Sequence, residues 1–215
     1  MKKTLIISLL LICFIFTFGQ DLSTLITQAE NGDMNAQDEV GNRYYVGREG
    51  AEENAAEAAK WFLMAAKAGQ EHAQYRIGYM YMKGEGVKTN YPESVYWLKK
   101  GVARDEDWST YYMATIHYEG KLGTPDYDQA FNLFSKLAGD GFYNSQYWLG
   151  IMYKNGQGTT VDYKKAFYWV YKCAEDGWVE AQYELADMYY KGIGVEVDEN
   201  EGDYWYATAE ENGYW

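Results

Sequence analysis

Few residues of this chain have side chains suited to catalysis, and their spacing does not gather them into a site. The 215 residues include two His and two Cys. His72 and His117 are far apart in sequence, and no Gly-Lys-Ser or Gly-Lys-Thr follows the Gly-rich segments, as a phosphate loop would require. Two His and two Cys are also too few for zinc fingers or a disulfide framework. We predict no catalytic residue, no cofactor and no metal site, and hence a protein that is not an enzyme.

One acidic segment, over residues 198–203, carries the oxygen ligands of a calcium loop. Its sixth position is Asp203, where the sharp turn of such a loop needs Gly. Its twelfth position is Ala209, where the loop needs Glu. The segment is therefore not predicted to bind calcium.

The composition narrows the class of partner. The chain has 19 Lys and Arg against 32 Asp and Glu, which gives a formal net charge of −13. Nucleic acids and anionic lipids are bound through Lys and Arg, so we predict no nucleic-acid partner. Hydrophobic residues make up 47% of the chain, as in globular proteins and unlike disordered ones.

The first nineteen residues have the pattern of a secretory signal peptide. A positively charged start precedes an apolar run over residues 4–18, which is short for a membrane span. We predict cleavage after Gly19, with cleavage after Gln20 as the alternative. A lipoprotein modified at Cys13 is a further alternative, but Ile12 is a poor residue before such a cysteine. The mature chain is thus predicted to be periplasmic or extracellular, with no membrane insertion after signal removal.

A period of 36 residues runs along the rest of the chain. It is carried by glycines, by large apolar residues and by tyrosines. The three series are Gly84, Gly120, Gly156 and Gly192; Trp61, Trp97, Leu133, Trp169 and Trp205; and Tyr75, Tyr111, Tyr147 and Tyr183. Because independent series share one spacing, we predict a repeat protein.

Each repeat is predicted to form two helices. In the second copy the first helix covers Glu71–Lys83 and ends at Gly84, since Gly adopts the left-handed conformation at least cost. The second helix starts at Asn90, which forms a capping box with Glu93. The same pairing recurs as Asn54 with Glu57, Asp126 with Gln129 and Asp198 with Glu201.

One helix pair cannot bury both apolar faces, so neighbouring pairs must stack. We predict an all-α fold, a right-handed α-solenoid of about five antiparallel helix pairs with an N-terminal capping helix. The cap covers residues 20–32, the repeats cover 33–69, 70–105, 106–141, 142–177 and 178–213, and residues 214–215 form the C-terminal end. Cys173 takes a position that is Ala in other copies, so we interpret it as a small buried residue and not a nucleophile.

The segments Ala73–Val87, Tyr163–Trp169 and Cys173–Gly177 resemble the Sel-1-like repeat, a relative of the tetratricopeptide repeat with a longer period. The resemblance covers the chain from about Asn31 to Gly213. It implies an adaptor or scaffold in protein–protein interaction, often in secreted or periplasmic settings. Some secreted, cysteine-rich members of this family are linked to β-lactam binding or hydrolysis. Their regular disulfide pair is missing here, so that activity does not carry over.

In an α-solenoid the first helices line the concave side, and their exposed positions are predicted here to form an aromatic groove for another protein or a peptide. Tyr and Trp dominate the energetic hot spots of such interfaces. The candidate residues are Tyr75, Tyr79, Met82, Trp108, Tyr111, Tyr118, Tyr147, Tyr183 and Tyr190. For the series that begins at Tyr75, packing within the repeat is the alternative, since periodic aromatics are usually core residues.

The resulting prediction is an exported, non-enzymatic scaffold that binds a protein or peptide in this groove. One alternative is a cell-envelope enzyme, a peptidoglycan or β-lactam hydrolase, with carboxylates that converge on His117 or Tyr118 in the same groove. Another is an assembly element whose ends stack on other copies. The segment from Glu175 to Trp215 has 12 acidic residues and one base, Lys191. We interpret it as a solvated end cap, with a docking face for a basic partner as the alternative.

Overall fold

The computed structural model describes residues 20–213, so the predicted signal peptide (residues 1–19) and the predicted C-terminal end (214–215) lie outside the described residues. Over residues 20–213 the chain forms eleven α-helices. They are α1 (Leu22–Glu30), α2 (Met34–Val46), α3 (Ala55–Ala68), α4 (Glu71–Lys83), α5 (Tyr91–Val102), α6 (Asp107–Tyr118), α7 (Tyr127–Gly139), α8 (Tyr143–Asn155), α9 (Tyr163–Glu175), α10 (Val179–Lys191) and α11 (Glu199–Glu211). No helix within this range is both long enough and apolar enough to cross a bilayer.

The chain forms two compact units, of which the first ends at Trp97 and the second begins at Leu98, both within α5. In the first unit α1 packs on α2, α2 on α3 and α3 on α4. In the second unit each helix from α6 to α11 packs on the next. The predicted all-α fold of stacked helix pairs is confirmed. The even-numbered helices are the first helices of the repeats, and the odd-numbered helices from α3 onward are the second helices.

The predicted helix starts and stops are confirmed in atomic detail. Helix α4 has the predicted bounds, and Gly84 ends it with φ 77°. The Asn54 side chain accepts a hydrogen bond from the Glu57 N–H at 3.1 Å, and Asp126 accepts one from the Gln129 N–H at the same distance. Each bond satisfies a donor that the first helical turn leaves open.

The second glycine of each Gly-x-Gly turn has a steric role that the sequence pattern did not reveal. A Cβ atom added to Gly158 would lie 2.2 Å from the carbonyl oxygen of Tyr127, the first residue of α7. At Gly86 and Gly194 the corresponding distances are 2.1 Å and 1.9 Å, to the first residues of α3 and α9. The turn therefore packs on the start of the previous second helix, and this contact leaves no room for a side chain.

The helices of a pair approach closely where the sequence places small residues. In the first unit a Cβ at Gly41 would lie 2.8 Å from the ring of Phe62, which is fully buried. In the second unit a Cβ at Gly150 would lie 2.7 Å from the Val170 side chain. Cys173 is also fully buried, so its interpretation as a small core residue is confirmed.

The turns on either side of α6, the first helix of the third repeat, depart from the pattern. Asp105 has φ 58° at the place where other copies carry Gly, a left-handed conformation that Asp adopts more readily than most residues. Leu122 occupies the position of Gly86 and Gly158 and is 51% exposed.

Candidate functional site

In the first unit the predicted groove residues lie on α4 with different degrees of exposure. Tyr75 and Tyr79 are half-buried. Met82 was predicted to be exposed, and this is wrong, because it is 8% exposed. An unbranched thioether has no polar tip to keep in water, so its burial is favourable.

In the second unit Trp108 and Tyr183 are the most exposed of the predicted residues, at 37% and 40%. Trp108 stacks on Tyr112 with ring centroids 5.9 Å apart. Tyr183 lies against Tyr206, with centroids 4.8 Å apart. Each of these side chains is held by a neighbouring ring and still exposes part of its surface to solvent, as an interface anchor requires.

Four other predicted residues of the second unit are half-buried: Tyr111, Tyr118, Tyr147 and Tyr190. The Trp148 N–H donates to the Tyr111 hydroxyl at 3.3 Å, and Tyr111 also packs on buried Phe134. The Tyr118 hydroxyl donates to Gln157 at 3.1 Å, which lies in the next repeat. Much of the side-chain surface of Tyr111 and Tyr118 is therefore used in packing within the stack of repeats.

The pKa directions of these tyrosines agree with that packing. Burial raises the pKa of Tyr111 above its ordinary value, and the Trp148 hydrogen bond opposes this effect. Burial also raises the pKa of Tyr118. For Tyr190 the main cause is its hydrogen bond to the Asp203 carboxylate, which raises the pKa because the ionised phenol would face a like charge.

An aromatic row that sequence reasoning missed lies at the N-terminal ends of α6, α8 and α10. It runs from Trp108 to Phe142, with ring centroids 5.0 Å apart, then to Tyr143 at 6.2 Å and on to Trp178 at a further 5.7 Å. Tyr143 is 42% exposed. We call Trp108, Phe142, Tyr143 and Trp178 the aromatic edge.

A sequence signal for the aromatic edge existed at the helix caps. The N-cap residues of α4 and α6 are Gln70 and Glu106, and each accepts a hydrogen bond from its own first turn. The N-cap residues of α8 and α10 are Phe142 and Trp178, and neither makes a side-chain cap bond. Two successive repeats thus carry an aromatic ring where a capping oxygen would stabilise the helix.

The first unit contains a polar network beside its aromatic contacts, such as that between Tyr45 and Phe62. The His72 side chain is 40% exposed and is also hydrogen-bonded, since its Nδ1 lies 2.9 Å from Asp38 Oδ1. The Arg76 Nε–H donates to His72 Nε2 at 3.2 Å. The hydroxyls of Tyr45 and Tyr79 donate to the two oxygens of Glu85 at 2.7 Å and 3.1 Å. Burial and then Glu85 raise the pKa of Tyr79.

Cys173 and His117, which were considered for catalysis, have surroundings typical of structural residues. Burial raises the pKa of the Cys173 thiol to about 12, so the thiol is protonated at neutral pH. His117 Nδ1 lies 3.8 Å from Asp126 Oδ2, and Asp126 caps α7. Among residues 20–213, His, Cys, Asp and Glu form no group of three or more that could hold a metal ion.

The acidic C-terminal region contains a cavity of about 670 Å³ in the second unit. Aromatic side chains and the carboxylates of Glu175, Asp198 and Glu201 line it. The Glu175 carboxylate accepts a hydrogen bond from Tyr171 at 3.0 Å. The interpretation of this region as a solvated end cap, with a docking face for a basic partner as the alternative, stays a prediction.

Repeated helix pairs, joined by glycine turns and stacked one on the next, define the class of α-helical repeat proteins. The sequence profile of the Sel1 repeat matches residues 35–70, 71–105, 109–142, 144–178 and 179–214. The chain therefore belongs to the Sel1 repeat family. Proteins of this family are generally scaffolds for protein interaction, so the coarse functional class is that of a Sel1 repeat scaffold.

Solved structures give the same result. A Sel1 repeat protein from Oxalobacter formigenes has 32% sequence identity and a TM-score of 0.77, over 85% of this chain and 72% of that one. A protective antigen of uropathogenic Escherichia coli with an SLR fold has 29% identity and a TM-score of 0.69. That match covers 91% of this chain, which spans half (50%) of the E. coli protein. A Sel1 repeat protein from Klebsiella pneumoniae shares the fold, with 20% identity and a TM-score of 0.55. That match covers 90% of this chain and 94% of the K. pneumoniae chain. No curated protein sequence matches the chain.

Proposed function

We propose that this chain is an exported, non-enzymatic scaffold that binds another protein or a peptide through aromatic side chains of its first helices. The aromatic edge of the second unit is the observation that carries the proposal. Each ring of the row contacts the next ring, yet Trp108 and Tyr143 remain 37% and 42% exposed. The surface is thus fixed in position before a partner arrives, which lowers the entropy lost on binding.

The helix caps supply the energetic argument. An N-cap oxygen typically stabilises a helix by about 1 kcal/mol, and α8 and α10 both lack one. Phe142 recovers part of that free energy because it packs on Trp108 and Tyr111. The Tyr143 ring contacts Phe142 and Trp178 but remains 42% exposed. Its free energy of burial is available to a partner.

Export is part of the proposal and rests on the sequence of residues 1–19. The E. coli relative is a protective antigen, and that description agrees with an exported protein. If the chain is exported, protein recovered from the periplasm or medium of the producing organism begins at Gln20, or at Asp21 with the alternative cleavage. An intact Met1 in that fraction would contradict export by a cleaved signal peptide.

The binding proposal is tested by capture of partners from the producing organism with the mature chain as bait. We expect the double variant Trp108→Ala, Tyr143→Ala to lose a partner that the wild type retains. The matched control is Tyr163→Ala, Tyr168→Ala, because these α9 tyrosines are 51% and 52% exposed and lie on a second helix. Both variants must first show the helical content and melting of the wild type. Capture of the same partners by the wild type and the Trp108 variant would refute the aromatic edge as the binding surface.

A further inference from the structure

The cavity lined by residues of α9, α10 and α11 in the second unit combines carboxylates with aromatic walls. Its volume of about 670 Å³ is in the range of pockets that hold a small ligand or a long side chain. The carboxylates are those of Glu175, Asp198 and Glu201. Within residues 20–213 the lining includes no Lys or Arg, so the cavity carries a negative charge.

Two lysines of α9 and α10 are engaged elsewhere. The Lys172 ammonium lies 5.7 Å from the ring centroids of both Tyr168 and Trp169, and Lys191 is ion-paired with Asp187. Neither lysine therefore neutralises the carboxylates of the cavity. A cation that enters the cavity would lower the repulsion between these like charges.

The carboxylates are positioned by bonds that each use one oxygen. The Tyr171 hydroxyl donates to Glu175 Oε1 at 3.0 Å. Asp198 Oδ1 accepts two backbone N–H groups from the first turn of α11, at 3.0 Å and 3.2 Å. The Asp198 N–H donates to the Tyr189 carbonyl at 3.2 Å, so the Glu201 side chain is not needed to satisfy that donor. Carboxylate oxygens are thus available to a ligand.

Aromatic rings complete the wall and favour one kind of cation. Trp205 lies edge-on to Tyr171, with ring centroids 6.1 Å apart, and to Tyr204, with centroids 5.3 Å apart. Tyr204 is 59% exposed, so much of its surface is open to contact. A guanidinium group is planar, stacks on aromatic rings and donates to carboxylates at the same time. An ammonium group is more strongly hydrated and gains less from such rings.

Two further observations restrict the ligand. Among the described residues, His, Cys, Asp and Glu form no group of three or more that could hold a metal ion, so the cavity suits a larger cation. Trp205 is 8% exposed, and its indole N–H has no hydrogen-bond partner within residues 20–213. An unpaired buried donor is unfavourable, and a ligand that brings a carbonyl oxygen satisfies it. A polypeptide carries such a carbonyl beside each of its side chains.

We propose that this cavity binds an arginine side chain of a partner polypeptide. The guanidinium contacts the rings and the carboxylates, and a backbone carbonyl of the partner accepts from the Trp205 indole N–H. The cavity shares no residue with the aromatic edge, so the inference goes beyond the proposed function and rests on it only in that the partner is a polypeptide. It narrows the docking face considered for the acidic C-terminal region to one cavity.

The proposal is tested by NMR titration of the mature chain at the Trp205 indole N–H signal, which is assigned by its loss in Trp205→Phe. N-acetyl-arginine methylamide should produce a saturable shift. Its citrulline analogue has a neutral urea group of nearly the same shape and should bind about ten-fold more weakly. The lysine analogue should also bind more weakly. Propylguanidinium, which has no carbonyl, should bind about five-fold more weakly, as the loss of one hydrogen bond predicts.

Charge variants show whether the carboxylates of the cavity recognise the probe. Glu175→Gln, Glu201→Gln should bind the arginine probe about ten-fold more weakly, and Asp198 is kept because it caps α11. The matched control is Glu210→Gln, Glu211→Gln. It makes the same change in net charge at exposed positions of α11 that do not line the cavity. This control should bind the probe as the wild type does.

A second pair of variants tests the rings. Tyr204→Ala should weaken binding of the arginine probe about three-fold, as the loss of one exposed cation–π contact predicts. The control is Tyr168→Ala, because Tyr168 has the equivalent position in the preceding second helix, is 52% exposed and does not line the cavity. All variants must first show the helical content and melting of the wild type.

The inference is overturned if the arginine probe gives no saturable shift, if the citrulline or propylguanidinium probe binds equally well, or if the lysine probe binds at least as tightly. Unchanged affinity in Glu175→Gln, Glu201→Gln would also overturn it. The Trp108→Ala, Tyr143→Ala variant should keep the probe response. Failure of the aromatic edge in partner capture therefore leaves this site standing, whereas a missing probe response refutes the site whatever the capture shows.

Discussion

Single glycines decide how closely the repeats of this chain approach one another. The second glycine of a Gly-x-Gly turn lies against the first carbonyl of the previous second helix, so its missing Cβ is a condition of stacking. At other turn positions, such as Gly141, glycine is favoured for a different reason. Gly141 has φ 93°, and an added Cβ would meet no atom within 4 Å, so only its backbone conformation favours Gly.

These two roles predict different costs for the same substitution. Gly158→Ala adds a clash with the Tyr127 carbonyl to a left-handed backbone, so we expect it to lower the free energy of unfolding by about 2–4 kcal/mol. Gly141→Ala suffers backbone strain alone and should cost about 1 kcal/mol. Urea denaturation of both variants measures the difference. Equal costs would mean that the turn relaxes away from α7 and that the contact is not essential.

At the scale of helices, Arg43 connects the capping helix α1 to the first repeat. Its guanidinium binds Glu39 within α2, Glu49 in the following turn, and the Gln20 carbonyl just before α1. Glu39 and Glu49 are 36% and 45% exposed at their side chains, so water can solvate them if the arginine is removed. The lost bonds and the packing of the arginine stem therefore set the cost of its removal.

Arg43→Ala should reduce the free energy of unfolding by about 2 kcal/mol and speed amide hydrogen exchange in α1 more than in α3 or α4. Arg48→Ala is the matched control, since exposed Arg48 contacts the same two glutamates. A surface ion pair contributes about 0–1 kcal/mol, so the control should stay close to the wild type. Uniform exchange across the first unit in Arg43→Ala would show that Arg43 has no special role at α1.

At the scale of the whole chain, the period of the sequence was enough to predict the helices and the N-caps of the second helices. Small residues at fixed intervals and capping pairs such as Asn54 with Glu57 act locally, so one sequence contains the information. Exposure was harder to predict. The burial of Met82 depends on how far the side chain reaches past its own helix, which periodicity does not describe.

The candidate site was predicted only in outline for the same reason. Trp108 and Tyr183 were identified because aromatic residues on first helices stand out in the repeat pattern. Phe142 and Trp178 were missed because they lie just before first helices, and candidates were sought on those helices. The bond between His72 and Asp38 joins residues 34 positions apart, in different repeats, and only the folded chain brings them together.

Buried and hydrogen-bonded tyrosines in both units limit the stability of the folded chain at alkaline pH. Nine described tyrosines, Tyr111, Tyr118 and Tyr171 among them, have pKa values raised above the ordinary 10.0. The unfolded chain therefore loses these protons at lower pH than the folded chain. Stability is fully present below about pH 10 and falls as the pH rises through the folded values. In acid the sign reverses, because hydrogen bonds lower the pKa of Asp162 and stability falls as that carboxylate is protonated.

We expect the melting temperature to be nearly constant from about pH 6 to pH 9 and to fall steeply above pH 10, where tyrosinate absorbance in the folded protein lags that of the urea-unfolded chain. The net charge of −13 also increases self-repulsion at high pH, so the measurement is repeated with added salt. Salt screens repulsion between exposed charges but leaves the burial of the phenols in place. A fall in melting temperature that salt abolishes would assign the alkaline limit to net charge, whereas one that persists assigns it to the tyrosines.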